Sequence, residues 1–197
     1  MSLFIETIKI GDGKVLNPGY HNRRFNITRQ SFFPEIPVID LMEWIKIPEE
    51  CRKGIFKCRV IYGEEIESIE FEPYDIKLIK SLKMVYDNEI EYSFKYHNRK
   101  AILDLFEKKE NNDDIIIVKN NRITDSSYSN LVFLSNGIWY TPKFPLLKGT
   151  KREKLLQESK IREADISVDD LYKFESAGLI NAMIELEECL IKINQIS

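Results

Sequence analysis

Apolar and polar positions alternate loosely over residues 3–10 (LFIETIKI) and give way to Gly11-Asp12-Gly13-Lys14, a composition that tolerates the positive φ angles of a tight hairpin turn. The pattern predicts a strand, a turn and a short second strand. Residues 20–33 (YHNRRFNITRQSFF) follow Asn17-Pro18-Gly19 and set Phe25, Ile27 and Phe32 among polar positions, the spacing of a half-buried helix that Pro34 closes. A short helix is expected over 38–47. Alternation returns at 54–62 (GIFKCRVIY), with Ile55, Lys57, Arg59 and Ile61 on one face and Phe56, Cys58, Val60 and Tyr62 on the other. A further strand at 66–72, across Gly63-Glu64-Glu65, completes a hairpin.

Proline interrupts two strand-like segments at Glu72-Pro73-Tyr74-Asp75, which places a domain joint there. The expected division is an N-terminal α+β domain over 1–75 and a C-terminal domain over 76–197. In the second, 76–86 reads as a strand, and 97–109 as an amphipathic helix burying Ile102, Leu103, Leu105 and Phe106. Short apolar segments at 115–119, 122–124, 130–134 and 138–141, divided by Asn120-Asn121 and Asn136-Gly137, predict a β-meander. Helices are expected at 149–163 and 181–193. No internal repeat or low-complexity tract interrupts this.

With 43% apolar and 31% charged residues in 197, the chain is globular and not disordered. At this length roughly 70% of the unfolded surface is buried, enough for one ample core or two small ones. Lys+Arg 29 against Asp+Glu 32 gives a net charge of −3, and the cations are scattered, so no nucleic-acid partner is expected. Cys51, Cys58 and Cys189 form no C-x-x-C pair; no disulfide framework or metal site is legible. The start lacks a basic leader before a long apolar run, and no stretch approaches the ~18 apolar residues of a membrane span. No membrane partner and a cytoplasmic location are the expectation.

Lys95 lies between the apolar approach Tyr92-Ser93-Phe94 and a helix starting with Tyr96-His97-Asn98-Arg99. A strand end facing a helix start is where an amine can be desolvated and its pKa lowered, as imine chemistry requires; a surface lysine at a helix start is the plain alternative. Lys57 and Arg59 share a strand face, suited either to a substrate carboxylate or to solvent.

Several blocks, in order, resemble the class IV aminotransferases, the fold-type-IV pyridoxal-5′-phosphate (PLP) enzymes that include branched-chain and D-amino acid aminotransferases and 4-amino-4-deoxychorismate lyases. Phe4-Ile5-Glu6-Thr7, Asp12-Gly13 and His21-Asn22-Arg23-Arg24 are similar to the family opening F-E-T, D-G and H-x-x-R. Lys95-Tyr96-His97-Asn98-Arg99 resembles the lyase version of the lysine block, K-x-x-N-R. Thr124-Asp125, followed by Asn130-Leu131-Val132-Phe133, resembles T-E-x-x-x-x-N-L-F, and Tyr140-Thr141-Pro142 with Gly149-Thr150-Lys151-Arg152 resembles T-P followed by G-I-x-R.

The resemblance implies a two-domain α/β (α+β) protein, with a small N-terminal α+β domain and a β-barrel-like C-terminal domain holding PLP in the cleft between them. Lys95 would bond covalently to the cofactor and shuttle the substrate proton. Arg24 would grip the phosphate, with His21 a structural companion. Asp125, where the family usually has Glu, would keep the pyridine nitrogen protonated; a turn-capping Asp is the alternative. Gly149, Thr150 and Lys151 would offer backbone N–H groups to the phosphate at a helix start, with Asn181 of the N-A block nearby. Lys57 or Arg59 would bind substrate.

By the same resemblance, the protein is expected to be an enzyme acting on a small-molecule amino substrate, and a homodimer. The first reaction is elimination of pyruvate from 4-amino-4-deoxychorismate to give 4-aminobenzoate; the alternatives are transamination of branched-chain or D-amino acids and a catalytically idle PLP-binding homologue. The F-E-T block stands near the start and the N-A block near the end, so the segments with which the family recognises substrate are expected to be trimmed.

Overall fold

The computed structural model describes residues 2–197. One compact unit runs to Ile76 and takes back Phe94–Asn98; the other comprises Lys77–Ser93 and Arg99–Ser197. Together they make an α/β fold with a small antiparallel sheet and a curled half-barrel sheet.

The first unit contains β1 (Phe4–Gly11), β2 (Lys14–Val15), α1 (Pro18–Phe32), β3 (Ile55–Tyr62) and β4 (Ile66–Pro73), with antiparallel order β2-β1-β3-β4. Register pairs Phe4 with Tyr62, Ile8 with Cys58 and Ile10 with Phe56. Alternation then puts these residues on one face, and they form a core with Phe25 of α1, Leu41 and Ile45. The turn after β1 uses Asp12 and Gly13, both at positive φ, where glycine pays no steric penalty. Helix α1 starts at Pro18, two residues before the expected start, because proline at the first helical position gives up an N–H that would go unbonded there anyway. Phe25 is fully buried, but Ile27 is half exposed.

The helix expected over 38–47 is a single 3₁₀ turn, Leu41–Glu43. Asparagines on α1 take up the backbone groups that a helix would have paired: Ile39 donates its N–H to Asn26 Oδ1 (3.1 Å), Asn26 Nδ2 donates to the Ile39 carbonyl (2.8 Å), and the Leu41 N–H reaches Asn22 Oδ1 (2.9 Å).

Phe94–Asn98, expected in the second domain, belongs to the first unit. The cause is aromatic packing. Ring centroids of Phe94 and Tyr96 lie 6.4 and 5.3 Å from Phe4, and Phe94 lies 4.9 Å from Phe32. A bridge pairs Phe4 with Tyr96; the Ile5 N–H donates to the Lys95 carbonyl (2.9 Å) and the His97 N–H to the Leu3 carbonyl (2.8 Å).

The second unit contains β5 (Leu82–Tyr86), α2 (Lys100–Phe106), β6 (Asp114–Lys119), β7 (Arg122–Ser126), β8 (Asn130–Ser135), β9 (Ile138–Pro142), α3 (Thr150–Gln157), β10 (Ile161–Ala164), β11 (Ser176–Ile180) and β12 (Leu190–Lys192). The order is β10-β9-β8-β7-β6-β5, with β11 joining β8 to β12. The expected meander is β6 to β9, antiparallel throughout, while β5 and β10 are added in parallel. Ile115, Ile116 and Ile117 are all fully buried, as in a strand covered on both faces.

Four expectations fail here. The strand is confined to 82–86 within 76–86. Helix α2 spans only 100–106 within 97–109, and Leu103 is exposed, since 94–98 is drawn into the other sheet. The helix expected over 149–163 stops at Gln157; Ser159 turns at φ 55 and the chain continues as β10. Residues 181–193 form no helix: Asn181 Oδ1 accepts the N–H groups of Met183 and Ile184, Glu187 sits at φ 71, and β12 pairs with β11.

Phe4→Ala removes a fully buried ring in contact with Phe32, Tyr62, Phe94 and Tyr96. A loss of about 3–5 kcal/mol in urea unfolding is expected; a loss below ~1 kcal/mol would contradict this core.

Candidate functional site

In the first unit, β1 carries Glu6 on its otherwise apolar face, fully buried. Arg24 of α1 grips it with a fork, Nε to Oε1 at 2.8 Å and Nη2 to Oε2 at 2.7 Å. His21, one turn earlier, donates from Nδ1 to Oε2 at 2.7 Å. Burial alone would raise the Glu6 pKa, but the Arg24 charge and the donors from His21 and Arg24 hold it at about 2. Burial lowers the His21 pKa, and the charges of Arg24 and Lys95 lower it further, so His21 is a neutral donor. Arg24 and Lys95 are thus both within electrostatic reach of one imidazole. Lys95 is half-buried, and its backbone is fixed on Ile5, next to Glu6.

The opposite face of the same sheet carries the other predicted cations. Register sets Lys9 across from Lys57 and Thr7 across from Arg59, with Glu72 and Glu70 of β4 beyond. Like charges directly opposed on a sheet are unfavourable unless anions compensate. Lys57 is compensated by an ion pair with Glu72. Arg59 has no such pair among the described residues, and its Nε is buried without a hydrogen-bond partner.

In the second unit, Asp125 ends β7 and Asn130 begins β8, directly paired. Asp125 is buried; Oδ1 accepts from Asn130 Nδ2 (2.7 Å) and Oδ2 from the Leu147 N–H (2.9 Å). Burial pushes its carboxyl up to about 6, against the opposing pull of these donors and of the Arg152 charge. At neutral pH it is mostly ionised. Just beyond Leu147, Gly149 precedes α3, whose first turn has no side-chain cap. The unpaired N–H groups and dipole of a helix start favour an anion.

Two further contacts tie this region together. Asn181 Nδ2 donates to Ser129 Oγ (2.9 Å), and buried Lys151 reaches Glu185 (2.5 Å). The Asp125–Asn130 turn, the start of α3 and the 181–185 turn are therefore linked. Asn181, expected near the cofactor, has its carboxamide engaged in its own turn and in Ser129. Thr150 and Lys151 are both buried.

The structure thus brings Arg24 and Lys95 together in one unit, and Asp125, Gly149, Thr150, Lys151 and Asn181 in the other. Lys57 and Arg59 lie on the face of the first sheet away from α1. Four residues were missed: Glu6, Lys9, Asn130 and Glu185. Glu6 and Lys9 had a signal in the alternation, as a charge on the apolar face and a third cation in phase with Thr7. Asn130 was marked only by its place in a motif, and Glu185 by nothing local. Among the described residues no His, Cys, Asp or Glu group could hold a metal ion, and no helix is long and apolar enough to cross a membrane.

Comparison with known proteins matches residues 70–188 to the family described as amino-transferase class IV. An uncharacterized protein of Haemophilus influenzae is 37% identical over 180 residues, 90% of this chain and 96% of that protein. A solved structure from Haemophilus somnus, provisionally named a 4-amino-4-deoxychorismate lyase, is 34% identical with a TM-score of 0.89, covering 94% of this chain and 98% of that one. A hypothetical aminotransferase of Mycobacterium tuberculosis, solved with PLP bound, shares the fold at 15% identity and a TM-score of 0.78, covering 99% and 81%.

Arg24→Ala leaves Glu6 buried and without its main counter-charge, which is expected to cost about 3–5 kcal/mol in urea unfolding at pH 7. In the unaltered protein the unfolded chain takes up protons on His21 below 6.5 and on Glu6 below 4.5 that the folded state refuses, so stability falls as the pH drops. Asp125, raised from 3.8 to about 6, acts in the opposite sense between those values, so the fall is steepest below about pH 4. Stability that stays flat from about pH 4 to 2 would contradict the Glu6 assignment.

Proposed function

Because the chain belongs to the class IV aminotransferase family of PLP-dependent enzymes, we propose that it is a PLP-dependent lyase that eliminates pyruvate from 4-amino-4-deoxychorismate, leaving 4-aminobenzoate. The observation that carries the cofactor assignment is the buried, mostly ionised Asp125 tied to the start of α3. The lyase assignment is supported by the 34% identity to the Haemophilus somnus protein and by the Lys95-Tyr96-His97-Asn98-Arg99 block.

The residues present fit the cofactor. Asp125 accepts from Asn130 Nδ2 at Oδ1 and from the Leu147 N–H at Oδ2, and the Leu146 N–H also faces it; a carboxylate offers about four acceptor positions, which leaves room for a further donor. Asp125 can therefore hold the proton on a pyridine nitrogen although it is one methylene shorter than Glu. The N–H groups of Thr150 and Lys151 at the α3 start suit a phosphate; on the family resemblance alone, Arg24, oriented by Glu6, is the proposed guanidinium partner. PLP, when bound, supplies an aldehyde for covalent attachment and a ring that takes up electron density.

Lys95 would hold the cofactor through Nζ, and its amine would serve to move the proton at the reacting carbon. Arg59 is the better candidate than Lys57 for a substrate carboxylate, since Lys57 is engaged by Glu72 while the Arg59 Nε has no hydrogen-bond partner among the described residues. The proposed partners are a small-molecule amino substrate and, on the family resemblance alone, a second copy of the chain.

Incubation with 4-amino-4-deoxychorismate is expected to release pyruvate and 4-aminobenzoate in equal amounts, with no exchange between branched-chain or D-amino acids and 2-oxoglutarate. Exchange without elimination would make the protein a transaminase; turnover of neither would make it an idle homologue. Arg59→Ala is expected to raise KM tenfold or more, the equivalent of ~1.4 kcal/mol, and Lys57→Ala less than threefold by the same conversion, about 0.6 kcal/mol. The reverse order would overturn the choice of Arg59.

A further inference from the structure

On the PLP reading above, we propose that Asn130 is a positioning residue that holds the Asp125 carboxylate and the approach to α3 in one frame, fixing where the ring-nitrogen and phosphate ends of the cofactor are met.

The geometry is a closed circuit. Asn130 Nδ2 carries two hydrogens, and both are used: one reaches Asp125 Oδ1 at 2.7 Å, the other the Leu147 carbonyl at 2.8 Å. Leu147 in turn donates its N–H to Asp125 Oδ2 at 2.9 Å. Three residues from two strands and a loop thereby fix one another's positions. The remaining carboxamide atom completes the fit on the helix side: Asn130 Oδ1 lies so near Gly149 that a Cβ there would collide with it. The position just before α3 has room only for a glycine, because the carboxamide occupies the space of a Cβ.

Asn130 is buried, as is Asp125, so water is a poor substitute for the missing donor if the amide is removed. Few other side chains do this work. Aspartate at 130 would set a second carboxylate against the first, serine or alanine would drop one or both donors, and glutamine would carry the amide a methylene too far. Asp125 is faced by the Asn130 amide, by the N–H groups of Leu146 and Leu147 and, through space, by Arg152, so loss of Asn130 removes the single side-chain donor in that set.

The test uses the full chain. With 13C-labelled aspartate, NMR titration of the cofactor-free protein follows Asp125, and absorbance titration with PLP measures binding. Asn130→Ala is expected to raise the Asp125 midpoint by about one pH unit or more, because the lost bond favoured the charged form, and to weaken PLP binding at least tenfold. Gly149→Ala, which displaces the carboxamide without altering it, should do both as well; in the Asn130→Ala background it should add less than twofold, since the two changes act through one contact.

A residue that only filled space would lower stability and leave the Asp125 midpoint in place. That unmoved midpoint, in either folded variant, overturns the positioning role. So does full additivity of the two substitutions. If the midpoint moves as expected but the unaltered protein binds no PLP, the frame stands and the cofactor reading is the part that fails.

Discussion

Glu6 carries a full negative charge into the core of the first unit, and the rest of that unit is arranged to make this tolerable. An unpaired carboxylate at this depth would cost several kcal/mol. The Arg24 fork and the His21 donor offset that cost, and in doing so they lock α1 to β1 at one place and in one rotation. Arg24 is consequently a fixed guanidinium and not a mobile surface one. The neighbouring residue on β1, Ile5, holds the backbone of Lys95, so the candidate covalent lysine and the candidate phosphate arginine are referenced to adjacent positions of a single strand.

Asp125 is the counterpart in the second unit, and the contrast between the two carboxylates is informative. Both are buried, yet Glu6 sits at about 2 and Asp125 at about 6. The difference lies in the partners. Glu6 is bonded directly to a cation, whereas Asp125 receives only neutral donors from Asn130 and the backbone, with Arg152 acting through space. A buried anion lacking a direct positive partner gains most from a cationic group brought to it, and a protonated pyridine nitrogen is such a group. Glu6 is thus satisfied by a cation within the protein, whereas Asp125 has no direct cationic partner among the described residues.

What was legible in the sequence followed periodicity and punctuation. The alternation of 54–62, the Gly-rich turn after β1 and the short strands between 115 and 141 are local signals, and local physics decided them. The failures have a common cause, which is tertiary competition for backbone or side chains. Asn22 and Asn26 on α1 satisfy the segment that was expected to be helical at 38–47, and Phe4 and Phe32 draw Phe94 and Tyr96 away from the start of α2. The Ser176–Ile180 strand, rich in small residues, carried little β-signal of its own and is held by β8 and β12. Candidate site residues in whole motif blocks could be proposed from sequence; the residues that hold them, Glu6 and Asn130, stand out only once the contact of each side chain is known.

The central claim is that the amine of Lys95 bonds to PLP. Incubation of the purified protein with PLP, borohydride reduction and peptide mapping tests it directly. The account predicts that one pyridoxyl label is recovered on the peptide containing Lys95, and that Lys95→Ala abolishes it while the fold is retained. A label confined to other lysines, or no label at all with intact protein, would contradict it.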